Sequence, residues 1–191
     1  MNKSSFQLFI FIEKIINIIN TISEWSGRLV AWLILWMVLI IVYDVTMRKF
    51  LSIGSVTLQE LQWHLFSLIF LIGAAYTFKH DDHVRVDVLY QSHWMNPYRR
   101  AWINLLGSLF ILLPVCLLII SSSWPFIASA FTSGETSSDP GGLPYRFLLK
   151  SAIPLGFALL MLQGIADFLT NLLYILGYRE VLPPPNHEIH P

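Results

Sequence analysis

The sequence predicts an all-α integral membrane protein, with four transmembrane helices, an N-terminal amphipathic helix and an interfacial helix between spans two and three. Three observations carry that expectation. Of 191 residues, 55% are hydrophobic and only 13% are charged, where a soluble domain carries about a quarter charged residues. Four stretches reach the ~20 mostly apolar residues needed to cross ~30 Å of hydrocarbon. The remaining polar residues collect in the segments between those stretches, leaving one polypeptide and one membrane domain over residues 1–191.

Taken in order, residues 6–24 place Glu13, Asn17, Asn20 and Glu24 opposite Phe9, Ile12, Ile16, Ile19 and Ile22. That periodicity reads as a helix lying in the membrane interface. The competing reading extends the first span or adds a fifth, which would put Glu13 and Lys14 inside hydrocarbon. The extreme N-terminus imitates a signal peptide, but no small-residue cleavage site follows and Glu13-Lys14 interrupts the apolar run, so it is expected to stay in the mature chain.

The first span covers about 25–43, with Arg28 near one end and Arg48-Lys49 beyond the other. A second, about 58–78, carries no charge between Glu60 and Lys79. The third, about 102–124, has a tryptophan at each end, where amphipathic rings settle among headgroups, and Pro114 is expected to kink it. The fourth, about 151–176, holds one acid, Asp167, toward its far end. Asn96-Pro97 is a helix start, amide as N-cap and proline in the first position. Ahead of it, His83 to Asp87 reads as an extended connector and about 88–95 as the interfacial helix. The Pro140-Gly141-Gly142 run predicts a tight turn in the polar loop before the fourth span, and 177–191 reads as a flexible tail.

Basic residues favour cytoplasmic segments. With the N-terminus inside, Lys3, Lys14, Arg28, Lys79, Arg85, Arg99, Arg100 and Arg179 are cytoplasmic, eight against the four at Arg48, Lys49, Arg146 and Lys150. Both termini are therefore expected in the cytoplasm of a bacterium, the chain crossing its inner membrane.

Composition also removes function classes. Twelve basic and twelve acidic residues cancel, leaving no basic stripe for nucleic acid. The single cysteine, Cys116, cannot form an intrachain disulfide. No phosphate loop, nucleophile elbow or His-Glu-x-x-His helix is present, so no catalytic, cofactor or metal residue is assigned. Haem between helices needs histidines at matching depth; only His64 lies well inside a span, since His80, His83 and His93 belong to the opposite connector. His64, one turn after Glu60, reads as a hydrogen-bonded interface residue. His80 and His83 with Asp81 and Asp82 read as solvated polar residues after a helix end. Small residues at Gly73-Ala74-Ala75, Thr77, Gly107-Ser108, Ala152 and Gly156 read chiefly as helix packing.

One ordered set of short motifs points further. Arg48 and Phe50 end the first span, Glu60 opens the second, Gly73-Ala74 lies inside it, and His83-Val84-Arg85-Val86-Asp87 follows it. Over about 25–178 the chain resembles the small (DctQ-like) membrane subunit of tripartite ATP-independent periplasmic (TRAP) transporters. It departs from that pattern at Gln59, where a second acid often precedes the one at Glu60.

The resemblance implies a scaffold in the lipid bilayer, bound to a large TRAP membrane subunit carrying substrate and ion sites. It also implies a periplasmic substrate-binding protein, in direct or indirect contact, and uptake driven by an ion gradient. It makes Arg48, Glu60, His64, His83 and Asp87 subunit-interface candidates. The run Asp139 to Arg146, with Gln163-Gly164, resembles a subgroup linked to carboxylates such as 2-oxo acids. The rival classes are a haem-binding electron-transfer subunit and a stand-alone membrane anchoring or assembly protein.

Overall fold

The computed structural model describes residues 3–80 and 96–179. The expected interfacial helix at 88–95, and with it His83 and Asp87, lies outside the described residues, as does the tail from 180 onward. Among the described residues five α-helices form: α1 Lys3–Leu51, α2 Val56–Lys79, α3 Pro97–Gly107, α4 Leu113–Thr132 and α5 Arg146–Ile175. A five-residue π-helical segment, Ser108–Leu112, joins α3 to α4. No strand occurs among the described residues.

Among the described residues, four helical stretches are long and apolar enough to cross a membrane: Phe6–Leu51, Val56–Lys79, Pro97–Thr132 and Arg146–Ile175. All four spans read from the sequence are present, and all are longer than expected. Apolar run length marks only the part in hydrocarbon, whereas a helix continues until its backbone bonding is interrupted. Thus α1 runs past Tyr43 to Leu51 and ends with Arg48 and Lys49 in its last turn, where cations meet the negative end of the helix dipole. At its other end the amphipathic stretch 6–24 is helical but continuous with the span; Glu24-Trp25-Ser26-Gly27 contains nothing that stops a helix.

The turn into α2 takes only residues 52–55. Ser55 is its N-cap, its Oγ accepting the Leu58 N–H at 3.4 Å. Asn96 occupies the corresponding place before Pro97, but its side chain makes no capping bond. Its backbone carbonyl instead accepts the N–H groups of Arg99 and Arg100, at 2.9 and 3.1 Å.

Pro114 acts one turn upstream of itself. Lacking an N–H, it cannot bond the carbonyl four residues earlier, and the preceding turn widens so that the Leu113 N–H reaches the Ser108 carbonyl instead. A π-turn absorbs the disruption within a continuous helix.

The chain divides into two compact units. One comprises the described parts of 1–24, 75–117 and 159–191. Its core includes Ile16, Ala75, Ala101, Cys116, Ala166 and Leu173, each at most 3% exposed. Among these apolar groups runs a polar network: Ser23 Oγ donates to Gln163 Oε1 at 2.6 Å, and Gln163 Nε2 donates to Asn20 Oδ1 at 3.1 Å. Ser108 donates to Asp167 Oδ2 at 2.7 Å, and Asn171 Nδ2 bonds both the carbonyl and a carboxylate oxygen of Asp167. Asp167 is thus an intramembrane acid held by its own chain.

The other unit comprises Trp25–Ala74 and Leu118–Ala158. Here α2 and α5 approach closely: a Cβ on Gly156 would lie 2.7 Å from the Leu71 carbonyl oxygen. Gly156 is therefore a packing residue, as small residues at membrane helix contacts are expected to be. Gly107 is not, having nothing within 4 Å of that position. Gly156→Leu should destabilise the protein by about 1–3 kcal/mol through overpacking against backbone that cannot yield, whereas Gly107→Leu should be neutral; thermal unfolding in detergent measures both.

Candidate functional site

The densest long-range polar contacts of the second unit centre on Glu60. It lies in the second turn of α2 and is 4% exposed. One carboxylate oxygen accepts from Ser137 Oγ. The other accepts the Leu143 backbone N–H at 2.6 Å. Thr57, one turn earlier, donates to the Gly141 carbonyl at 2.5 Å. The start of α2 therefore grips the connector between α4 and α5 at three points.

The connector is shaped to be gripped. Gly134, at φ +58°, lets the chain leave α4, with its N–H on the Phe131 carbonyl and the Glu135 N–H on the Ala130 carbonyl. A tight turn then closes through the Gly142 N–H to the Asp139 carbonyl at 3.0 Å. Pro140 and Gly141 are its central residues, and Gly141 at φ +82° marks a type II turn. A Cβ on Gly142 would fall 2.4 Å from Ser137 and 2.8 Å from Glu60 Oε2, so only glycine fits beneath the carboxylate. The Ser137 N–H returns to the Leu143 carbonyl at 3.2 Å, and the Arg146 N–H to the Glu135 carbonyl at 3.1 Å.

Glu135 continues the network into α5, pairing with Lys150 and, at 4.0 Å, with Arg146. The Lys150 ammonium also sits 3.8 Å from the Phe126 ring centroid, a cation–π contact that joins α4 to α5.

Of the residues singled out from the sequence, Glu60 is thus a clasp on its own chain. His64 Nδ1 lies 2.6 Å from the Glu60 backbone carbonyl, the helical partner expected one turn before it. Arg48 is half exposed and pairs with Asp44, itself 2% exposed, one turn back in α1. Arg48 and Glu60 are therefore not partners. Sequence reasoning missed Asp44, Thr57, Ser137 and the Leu143 N–H. Asp44 carried a signal, as an acid four residues before Arg48; a backbone N–H carries none.

The first unit has its own charged group: Glu24 accepts from Lys79 Nζ at 2.5 Å and lies 2.8 Å from His80 Nε2, while Lys79 also donates to the Asn20 carbonyl at 3.2 Å. His80 therefore belongs with a carboxylate rather than a metal, and no group of three or more metal-binding side chains occurs among the described residues. What these arrangements do chemically is hold helices and a connector together.

Among the described residues, four helices long and apolar enough to cross a membrane define a multi-pass helical membrane protein. Residues 37–173 match the family described as tripartite ATP-independent periplasmic transporters, DctQ component, and the chain belongs to that family. The family is a transporter component rather than an enzyme family. No curated protein and no solved structure matches the chain.

Glu60→Ala leaves the Ser137 hydroxyl and the Leu143 N–H without their acceptor. Limited proteolysis of the detergent-solubilised protein should then cleave at 137–143 several-fold faster than in wild type. Ser137→Ala, which removes one of the three contacts, should give a smaller increase.

Proposed function

We propose that this chain is the small scaffold subunit of a TRAP-type secondary transporter in the bacterial inner membrane, with both termini in the cytoplasm. It binds a large membrane subunit that carries the substrate and ion sites, and a periplasmic binding protein delivers an organic acid for uptake driven by an ion gradient. Family membership over residues 37–173 carries this reading.

The geometry supports it in one further respect. A transport domain that moves needs a partner that does not, and several polar side chains among the described residues tie helix to helix or helix to connector. In each unit the contacts are internal: Asn20, Ser23 and Gln163 in one, Glu60, Ser137 and Leu143 in the other. Glu60, Arg48 and His64 contribute to assembly on this reading, Glu60 by fixing the connector and Arg48 from a half-exposed position at the end of α1. His83 and Asp87 stay assembly candidates by resemblance.

Alkaline phosphatase fused after Ser137 should be active, and fused after Ser92 or at the C-terminus inactive; the reverse pattern would refute the orientation. The isolated chain in proteoliposomes should show neither solute uptake nor a Soret band. Co-expressed with the large subunit, the wild-type chain should co-purify with it, and Glu60→Ala should reduce that co-purification and abolish uptake in cells while the chain still inserts.

A further inference from the structure

Two buried polar atoms of the second unit have no hydrogen-bond partner among the described residues: Oδ1 of Asp44 in α1 and Nε2 of Gln62 in α2. One is an acceptor and the other a donor. Asp44 is 2% exposed, and its other oxygen, Oδ2, holds Arg48. The polar neighbours of Gln62 on α2 are committed elsewhere. The Glu60 carboxylate accepts from Ser137 and the Leu143 N–H, and His64 Nδ1 lies on the Glu60 carbonyl.

Both atoms belong to one seam between α1 and α2. These helices are joined by the short turn 52–55 and meet further along, where a Cβ on Gly73 would lie 3.8 Å from both methyls of Val30. Gln62 precedes Gly73 by a number of residues that returns it to within about 20° of the same face of α2. Asp44 follows Val30 at a spacing that returns it to within about 40° of the same face of α1. The faces that touch at Val30 and Gly73 therefore carry Asp44 and Gln62 nearer the turn. At 1.5 Å per residue, Asp44 lies about 21 Å from Val30 and Gln62 about 16 Å from Gly73, in the same direction, so their levels agree to within about 5 Å.

A ligand that joins these two atoms must donate to Asp44 and accept from Gln62. A metal cation does neither: the Gln62 N–H cannot ligate it, and Arg48 already answers the Asp44 charge. A side chain of another protein is excluded because both atoms are buried. Water donates and accepts at once, and internal water characteristically bonds polar groups that the chain leaves unsatisfied. At this depth the alternative is two desolvated groups without partners, which hydrocarbon penalises.

We propose that Asp44 and Gln62 hold an internal water molecule between α1 and α2, its O–H donating to Asp44 Oδ1 and its oxygen accepting from Gln62 Nε2. The water is a hydrogen-bonded joint between two spanning helices, and it completes the coordination of an acid that Arg48 satisfies on one oxygen only.

Solid-state NMR of the full chain in lipid bilayers, with isotope-labelled glutamine and aspartate, reads the contact directly. The Gln62 side-chain N–H should show magnetisation transfer from water. Gln163, whose Nε2 donates to Asn20 Oδ1 inside the other unit, should show little and serves as the buried control. The Asp44 carboxyl carbon should show the same water contact as Gln62. Asp44→Ala should lower the Gln62 transfer several-fold, and replacing sodium by choline in the buffer should leave the wild-type signals unchanged.

A Gln62 signal as weak as that of Gln163 would mean a dry seam and would overturn the site. So would full Gln62 transfer in a folded Asp44→Ala variant, since Asp44 would then not anchor the water. Absence of the Asp44 carboxyl contact in wild type would overturn it even if that variant does not fold. Signals that change on sodium removal would assign the site to a cation and overturn the water.

Discussion

Hydrocarbon satisfies no hydrogen bond, and most of the internal architecture of this protein follows from that constraint. A chain that carries acids, amides and hydroxyls into spanning helices must provide their partners itself. In the second unit the requirement is met by drawing a loop inward: Glu60, which would otherwise open a charge-free stretch of α2 as a lone acid, accepts from Ser137 and from the Leu143 N–H. In the first unit it is met between helix faces, where Gln163 both accepts from Ser23 and donates to Asn20. Such bonds are individually modest in membranes, averaging about 0.6 kcal/mol. Their larger effect is on specificity, because a slipped helix would leave several buried polar groups unpaired at once.

The constraint also explains how two irregularities are tolerated. Pro114 removes a backbone donor from a spanning helix, and the helix answers by widening one turn, which keeps the Leu113 N–H bonded to the Ser108 carbonyl. That widened turn begins at Ser108, whose side chain reaches Asp167. The irregular backbone and the intramembrane acid thus share one place. The connector between α4 and α5 has no regular structure of its own, and three contacts from α2 fix it.

Composition and run length made the four spans legible, because the demand for ~20 apolar residues is written directly in the sequence. Their ends were not. The stretch 6–24 has polar residues at helical spacing, which identifies a helix but not whether it joins the next one; continuity depended on the absence of any interruption at 24–27. The Pro140-Gly141 turn was legible from turn chemistry alone. Glu60 stood out as an acid beside an uncharged run, yet its partners lie 77 and 83 residues away, and no periodicity encodes a pairing at that separation. Arg48 was visible while its partner Asp44 was passed over, although an acid and an arginine four residues apart are helix neighbours by geometry.

Arg48 and Glu60 flank the same short turn and carry opposite charges, yet they do not pair. The structure resolves the two charges separately, for a physical reason. Asp44 is 2% exposed and needs a cation at its own depth; Arg48, one turn along the same helix, can supply it without ordering a loop. Glu60 faces two donors that a single carboxylate satisfies together, one on each oxygen. A cross-turn pair would strand Asp44, Ser137 and the Leu143 N–H to satisfy two groups. Once these charges are spent internally, few polar atoms remain on the outward surface of α1 to recognise a neighbour.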